Sequence, residues 1–110
     1  MTSSAETPQP LPGQPLPTGH KAERVRITGK VQGVWYRAWT VEQAEARGLD
    51  GWVRNRLDGS VEALFVGPVD QVDDMIAACH RGPKHAQVAT VNREPAQGIV
   101  GEGFRQLPDV

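Results

Sequence analysis

The chain has 110 residues, 38% of them hydrophobic, and a formal net charge of −1. Its length predicts one domain, its single cysteine excludes an internal disulfide, and it has no apolar run long enough for a transmembrane helix. Residues 21–110 hold 12 basic and 12 acidic side chains, so a broad basic surface for nucleic acid is not expected. The lone cysteine suits a reducing compartment, and we expect a cytoplasmic protein.

Residues 1–20 differ in composition from the rest of the chain. They contain five of the nine prolines, one charged side chain (Glu6) and no aromatic residue. Such a segment cannot bury enough apolar surface to offset the entropy lost on ordering. We therefore predict a disordered, Pro-rich leader over residues 1–20 and a folded domain over residues 21–110. A polyproline ligand for a partner domain is the alternative interpretation.

The first elements of the domain follow from apolar spacing. Residues 24–28 alternate polar and apolar, which predicts a strand, and residues 29–34 predict a loop. A helix is predicted over residues 35–48, ended by its glycine. Its predicted buried face carries small residues at three- and four-residue spacing, namely Ala38, Val41, Ala44 and Gly48.

A hairpin and a second helix come next. Strands are predicted over residues 51–56 and 60–66, and the Asp58-Gly59 pair between them indicates a type I′ turn. Gly67-Pro68 and Gly82-Pro83 bracket a helix whose apolar stripe is Val72, Met75, Ile76 and Cys79.

The last part of the chain predicts two more strands. The first covers residues 86–92, where Val88 and Val91 are out of phase for a flat strand and indicate a bulge. A short strand over residues 103–107 ends the chain. The order βαββαβ plus this strand predicts an α+β, ferredoxin-like sandwich, with a mixed, mostly antiparallel sheet and two helices on one face.

The segment Gly29-Lys30-Val31-Gln32-Gly33-Val34-Trp35-Tyr36-Arg37 joins a strand end to a helix start. Unpaired N–H groups and the helix dipole make such a junction a place where anions bind. Arg37, in the first helical turn, can add a planar fork that matches two phosphoryl oxygens. Trp35 either packs or lines the rim of this cradle. A glycine-containing turn with no ligand is the plainer interpretation.

Asn55 closes a second segment, Gly51-Trp52-Val53-Arg54-Asn55. In the predicted topology the first two strands are parallel, so Arg37 and Asn55 reach the same rim of the sheet. A carboxamide there can orient a water, because it both donates and accepts hydrogen bonds. Alternatively, Asn55 caps the turn at Asp58-Gly59.

These two segments, with Asp58-Gly59-Ser60-Val61-Glu62 and Gly82-Pro83-Lys84-His85-Ala86-Gln87-Val88, closely resemble the acylphosphatase family over about residues 22–107. The resemblance implies hydrolysis of acyl phosphates to carboxylate and inorganic phosphate. It also implies that Arg37 binds the phosphoryl group and Asn55 positions the attacking water. The phosphate-binding loop it implies supplies backbone amides from Gln32, Gly33, Val34, Trp35 and Tyr36. Arg56 departs mildly from the family pattern, which leaves substrate preference open.

The chemistry agrees with the residue types. A carboxylate leaving group has a pKa of roughly 4 and needs no general acid, and neither segment contains His, Cys or paired carboxylates. No cofactor and no metal are implied, since Cys79, His80 and His85 have poor spacing for a tetrahedral site.

Three other functions remain open: an RNA-binding module of the same topology, a non-catalytic anion-binding or regulatory domain, and a carbamoyl-phosphate hydrolase. For an acylphosphatase we expect an acyl phosphate as the small-molecule partner and a monomeric state. We expect no nucleic-acid and no membrane partner.

Overall fold

The computed structural model describes residues 16–97 and 100–110. Seven helices and strands follow one another in this part of the chain. They are β1 (His20–Lys30), α1 (Tyr36–Ala46), β2 (Asp50–Asn55), β3 (Val61–Pro68), α2 (Val69–Cys79), β4 (Gln87–Pro95) and β5 (Phe104–Gln106). No helix within these residues is long and apolar enough to cross a membrane.

The five strands form one sheet in the order β4-β1-β3-β2-β5. β3 lies antiparallel between β1 and β2, and β1 lies antiparallel between β4 and β3. β5 pairs with β2 in parallel, which makes the sheet mixed. The ferredoxin-like α+β prediction is thus confirmed. Because β1, β2 and β5 run in the same direction, their carboxyl ends meet at one edge of the sheet.

Both helices cover the same face of the sheet. The core between them contains alternating residues of the central strands, among them Val25, Ile27, Val53, Ala63 and Phe65, all fully buried. The predicted stripe of α2 is confirmed, since Val72, Met75, Ile76 and Cys79 are all buried. The opposite face of the sheet, which we call the open face, carries Arg24, Arg26, Trp52, Arg54, Glu62 and Leu64.

The buried face of α1 differs from the predicted one. Tyr36, Thr40 and Ala44 are buried, whereas Ala38 and Val41 are only partly buried and Gly48 is exposed. The prediction holds for Ala44 and for Val41, which packs against the core, and it is wrong for Gly48 and for the omission of Thr40. This residue is accommodated in the core because its hydroxyl donates to the carbonyl oxygen of Tyr36 at 2.8 Å.

The hairpin between β2 and β3 also differs from its prediction. The N–H of Gly59 donates to the carbonyl of Arg56, so Leu57 and Asp58 are the central residues of the turn. Only Gly59 in this turn has positive φ, at 93°, which excludes the predicted type I′ geometry. The Asp58 carboxylate accepts hydrogen bonds from the N–H and hydroxyl of Ser60, and these lower its pKa.

The predicted bulge in β4 is confirmed. Thr28 pairs with Thr90 and Gly29 with Val88, which leaves Ala89 as the extra residue. Of the predicted leader, residues 1–15 lie outside the described residues. Leu16 packs against Ala22, Leu64 and Val66 on the open face, and the N–H of His20 donates to the carbonyl of Pro17.

Gly51 allows β2 to approach β3 closely. Its φ is 136°, and a Cβ built on it would lie 1.9 Å from the carbonyl oxygen of Leu64. We expect Gly51→Ala to lower the free energy of unfolding by more than about 2 kcal/mol, measured by urea denaturation. Gly48→Ala is the matched control, since Gly48 has φ 68° but open space around it. An equal loss in the two variants would contradict the close-approach explanation.

Candidate active site

A cavity of about 320 Å³ opens at the edge where β1, β2 and β5 end. It lies against the first turn of α1, which follows the loop after β1. Its walls come from the loop after β1, the start of α1 and the last residues of β2 and β5. The lining residues are Val31, Gly33, Trp35, Tyr36, Arg37, Ala38, Asn55 and Gln106. The topology thus brings Arg37 and Asn55 into one cavity, as the sequence predicts.

The amino end of α1 forms one wall of this cavity. Trp35 precedes the helix as its N-cap residue in the left-handed conformation, with φ 67°, and offers no side-chain cap. The helix therefore begins at Tyr36, and its predicted start at residue 35 is wrong. The first N–H that bonds within the helix is that of Trp39, which donates to Trp35. The N–H groups of the first turn are thus free of intrahelical partners and carry the positive end of the helix dipole.

The loop before α1 is fixed from two sides. The side-chain amide of Gln32 donates to the carbonyl oxygens of Arg56 and Ser60, at 2.8 Å each, and so ties the loop to the β2–β3 hairpin. Val34 is buried in the core. Of the five loop residues predicted to hold phosphate, Gly33, Trp35 and Tyr36 line the cavity, whereas Gln32 and Val34 are not among its lining residues.

Tyr36 anchors the start of α1 to the other helix. Its hydroxyl donates to the carbonyl oxygen of Cys79 at 2.6 Å, and burial raises the pKa of the phenol. Burial likewise raises the pKa of the Cys79 thiol to about 12. Both groups are therefore neutral near pH 7. The Tyr36 hydroxyl holds the start of α1 to the end of α2, and the Cys79 thiol packs in the core.

The Arg37 side chain is 36% exposed and reaches the surface of the cavity. Its Nη1 donates to Oδ1 of Asp109 at 3.2 Å. Asp109 lies in the segment after β5, where no motif marks it in the sequence. A carboxylate oxygen thus occupies one N–H group of the guanidinium fork.

Asn55 is only 8% exposed, at the last position of β2. It lies opposite Val61 in the register of β2 and β3, and its backbone carbonyl accepts from the N–H of Val110 at 3.1 Å. Its carboxamide, in contrast, makes no hydrogen bond to the part of the chain that the structure describes. This amide faces the cavity with its donor and acceptor available. It does not cap the turn, where Asp58 bonds to Ser60 instead.

Gln106 is a lining residue that the sequence analysis did not identify. It ends β5, three residues long, in the register Val53–Gln106 beside β2. Its place in the cavity could have been predicted from the topology, because a strand parallel to β2 must end at the same edge of the sheet as β2. Arg56, whose effect on the site was left open, does not line the cavity and pairs with Glu62 at 3.1 Å.

The lining offers a positive guanidinium, free backbone N–H groups and two neutral carboxamides, and it has no carboxylate, imidazole or thiol. Within residues 16–97 and 100–110, no three His, Cys, Asp or Glu side chains are grouped as metal ligands. Such a cavity can bind a tetrahedral oxyanion and orient a water next to it.

Comparisons with known proteins agree with this arrangement. The family model described as acylphosphatase matches residues 23–106. An acylphosphatase of Rhizorhabdus wittichii is 57% identical over 89 residues, covering 81% of this chain and 90% of the relative. The structure of an acylphosphatase from Coxiella burnetii superimposes with a TM-score of 0.78 at 32% identity, covering 81% of this chain and 94% of that one. For the acylphosphatase from Bacillus subtilis the TM-score is 0.74 at 31% identity, covering 78% of this chain and 97% of that one.

Proposed function

Because the chain belongs to the acylphosphatase family and is a hydrolase of acyl phosphates, we propose that Arg37 and Asn55 divide the catalytic work in this cavity. Arg37 and the backbone amides beside it bind the phosphoryl group, and Asn55 positions the attacking water. One observation carries this proposal. A guanidinium and a nearly buried carboxamide with no hydrogen-bond partner among the described residues lie in the same cavity, at a helix amino end that has no side-chain cap.

The phosphoryl group is held by charge and geometry together. The free N–H groups of the first turn of α1 and the Arg37 fork can each donate to its nonbridging oxygens. Charge on those oxygens is large in the transition state of phosphoryl transfer, so donors fixed in advance lower the barrier. Gln32 and Tyr36 support this cradle from behind by fixing the loop to the hairpin and to α2.

Asn55 orients the attacking water and does not act as a base. Its carboxamide oxygen can accept a hydrogen bond from the water while a lone pair of the water points at phosphorus, opposite the departing carboxylate. The amide is too weak a base to take the proton, which instead passes to a phosphoryl oxygen of the substrate. The carboxylate leaves with its bonding electrons and needs no protonation, since its pKa is roughly 4.

The proton route can be tested by the pH dependence of kcat with benzoyl phosphate. No lining residue is a carboxylic acid, imidazole or thiol. The profile should therefore be nearly flat from about pH 5.5 to 8, within the range where His-based catalysis would titrate. A steep change near neutrality that is absent from the uncatalysed reaction would contradict the substrate-assisted route.

The substrate class can be tested by parallel assays on the purified protein. Benzoyl phosphate and carbamoyl phosphate both carry a phosphoryl group for the cradle, and they differ in the group attached to it. We expect turnover of benzoyl phosphate that is lost in Arg37→Ala. Turnover of carbamoyl phosphate alone would favour the carbamoyl-phosphate hydrolase, and binding of phosphate without turnover would favour an anion-binding domain.

Asp109 should compete with the substrate for Arg37. Its carboxylate occupies Nη1 of the fork, in a pair that is exposed on both sides. Because exposed ion pairs contribute about 1 kcal/mol or less, Asp109→Asn should lower the inhibition constant of inorganic phosphate by about two- to fivefold. Asp74→Asn is the control, since it removes the same charge from an exposed carboxylate on α2 that pairs with Arg47 at the end of α1. Weaker phosphate inhibition in Asp109→Asn would show that Asp109 helps to hold Arg37 in place.

We further propose a cytoplasmic monomer with no nucleic-acid or membrane partner. The open face supports the absence of a polyanion surface, because Glu62 at its centre pairs with Arg54 and Arg56. Burial alone would raise the pKa of Glu62, but the hydrogen bond and charge of Arg54 outweigh it and keep the carboxylate ionised. The buried Cys79 fits reducing surroundings. Titration with single-stranded RNA at low salt tests the absence of a nucleic-acid partner, and sedimentation tests the monomeric state.

A further inference from the structure

Trp35 is the one non-glycine residue with positive φ in the part of the chain that the structure describes. Its φ of 67° lies in the left-handed region, which costs an L-residue other than glycine about 1–2 kcal/mol. The other residues in this conformation are glycines, including Gly33 two positions earlier. A glycine at position 35 would satisfy the same turn without this cost.

Burial in the core does not offset this conformational cost, because the Trp35 side chain is 81% exposed. It makes no aromatic pair with Tyr36, whose ring instead meets Trp39 edge-on at 5.3 Å. A large apolar side chain therefore sits in a strained conformation, gains little from burial, and lines the cavity that holds Arg37 and Asn55. Strained residues of this kind concentrate at functional sites.

The position of Trp35 matches the part of the substrate that the cradle leaves free. In the proposed arrangement the phosphoryl group binds to the backbone N–H groups and to Arg37. The inner wall of the cavity consists of buried residues such as Val31 and Tyr36. The acyl group must then extend through the open mouth of the cavity, where the exposed indole lies. An aromatic face there offers stacking and apolar contact but no charge.

We infer that Trp35 is a specificity-determining residue that binds the acyl group, and that the preferred substrates carry an aromatic or bulky apolar acyl group. This inference rests on the proposed function, because it takes the orientation of the substrate from the phosphoryl cradle. The side chain of Trp35 contributes to binding of the acyl group and has no part in the transfer of the phosphoryl group.

The test compares benzoyl phosphate with acetyl phosphate in the full-length protein. Both have carboxylate leaving groups and the same phosphoryl group, so they differ mainly in the acyl part. In Trp35→Gly the ratio of kcat/KM for benzoyl over acetyl phosphate should fall about three- to tenfold, mostly through KM for benzoyl phosphate. Trp35→Phe, which keeps an aromatic ring, should retain most of the ratio. Trp35→Gly should also melt at the same or a higher temperature, since glycine adopts this φ freely.

Leu57→Ala is the matched control. Leu57 is 88% exposed, lies in the neighbouring hairpin loop and does not line the cavity, so its removal should leave the ratio unchanged. An unchanged ratio in Trp35→Gly, or an equal fall in Leu57→Ala, would overturn the inference and leave the roles of Arg37 and Asn55 intact. A wild-type protein that hydrolyses neither substrate would overturn the proposed function and this inference together.

Discussion

Replacement of Arg37 by alanine should lower kcat/KM for benzoyl phosphate by at least about thirtyfold, which corresponds to about 2 kcal/mol. The variant loses the only positively charged side chain among the cavity-lining residues that the structure describes. Charge-assisted bonds from a guanidinium act on the bound phosphoryl group and on the transition state, whose charge is spread over the equatorial oxygens. Both KM and kcat should therefore deteriorate, and inorganic phosphate should inhibit less.

Two further variants test whether the effect is specific to the guanidinium group at position 37. Arg37→Lys keeps the charge but loses the planar fork, so its activity should lie between those of the wild type and Arg37→Ala. Arg24→Ala removes the same charge from the open face, where Arg24 pairs with Glu94, and should change kcat/KM by less than about twofold. Thermal stability should change little in Arg37→Ala, because the pair with Asp109 is exposed. Undiminished turnover in Arg37→Ala would show that Arg37 does not bind the phosphoryl group.

Replacement of Asn55 by alanine should lower kcat for benzoyl phosphate on the order of a hundredfold and leave phosphate inhibition within about twofold. Asn55 contacts the water and not the phosphoryl oxygens in the proposed arrangement, so the ground state is bound as before. The measurement is steady-state kinetics combined with the inhibition constant of inorganic phosphate. Asn92→Ala, on strand β4, is the control for removal of a carboxamide elsewhere on the sheet.

Stability distinguishes a catalytic Asn55 from a structural one. The carboxamide is nearly buried but has no hydrogen-bond partner among the described residues, so its removal should cost the fold little or even stabilise it. We expect a melting temperature equal to or above that of the wild type, as for residues kept for activity. A loss of activity that came with a loss of several degrees in melting temperature would favour a structural role.

The convergence of Arg37 and Asn55 could be predicted from the sequence because it depends only on strand order. In a split βαβ topology the first two strands must be parallel, and their carboxyl ends must meet at one edge. Once the helix and strand periods are identified, the positions of both residues follow. The bulge in β4 was equally visible, since it alters the phase of Val88 and Val91.

Features that depend on tertiary contacts could not be predicted. The left-handed Trp35 runs against its intrinsic preference, and its conformation is imposed by the loop that Gln32 and Tyr36 fix. The buried Thr40 is invisible to an apolar pattern because its hydroxyl bonds within its own helix. Asp109 reaches Arg37 only because β5 pairs with β2 and carries the end of the chain past the cavity.

In the proposed reaction, the water that Asn55 positions attacks phosphorus and not the carbonyl carbon. Hydrolysis of benzoyl phosphate in water enriched in oxygen-18 tests it most directly, at enzyme concentrations where the uncatalysed reaction is negligible. Mass spectrometry of the two products shows which bond the new oxygen forms. The account predicts one labelled oxygen in inorganic phosphate and none in benzoate, and label in benzoate would contradict it, because attack would then have occurred at the carbonyl carbon.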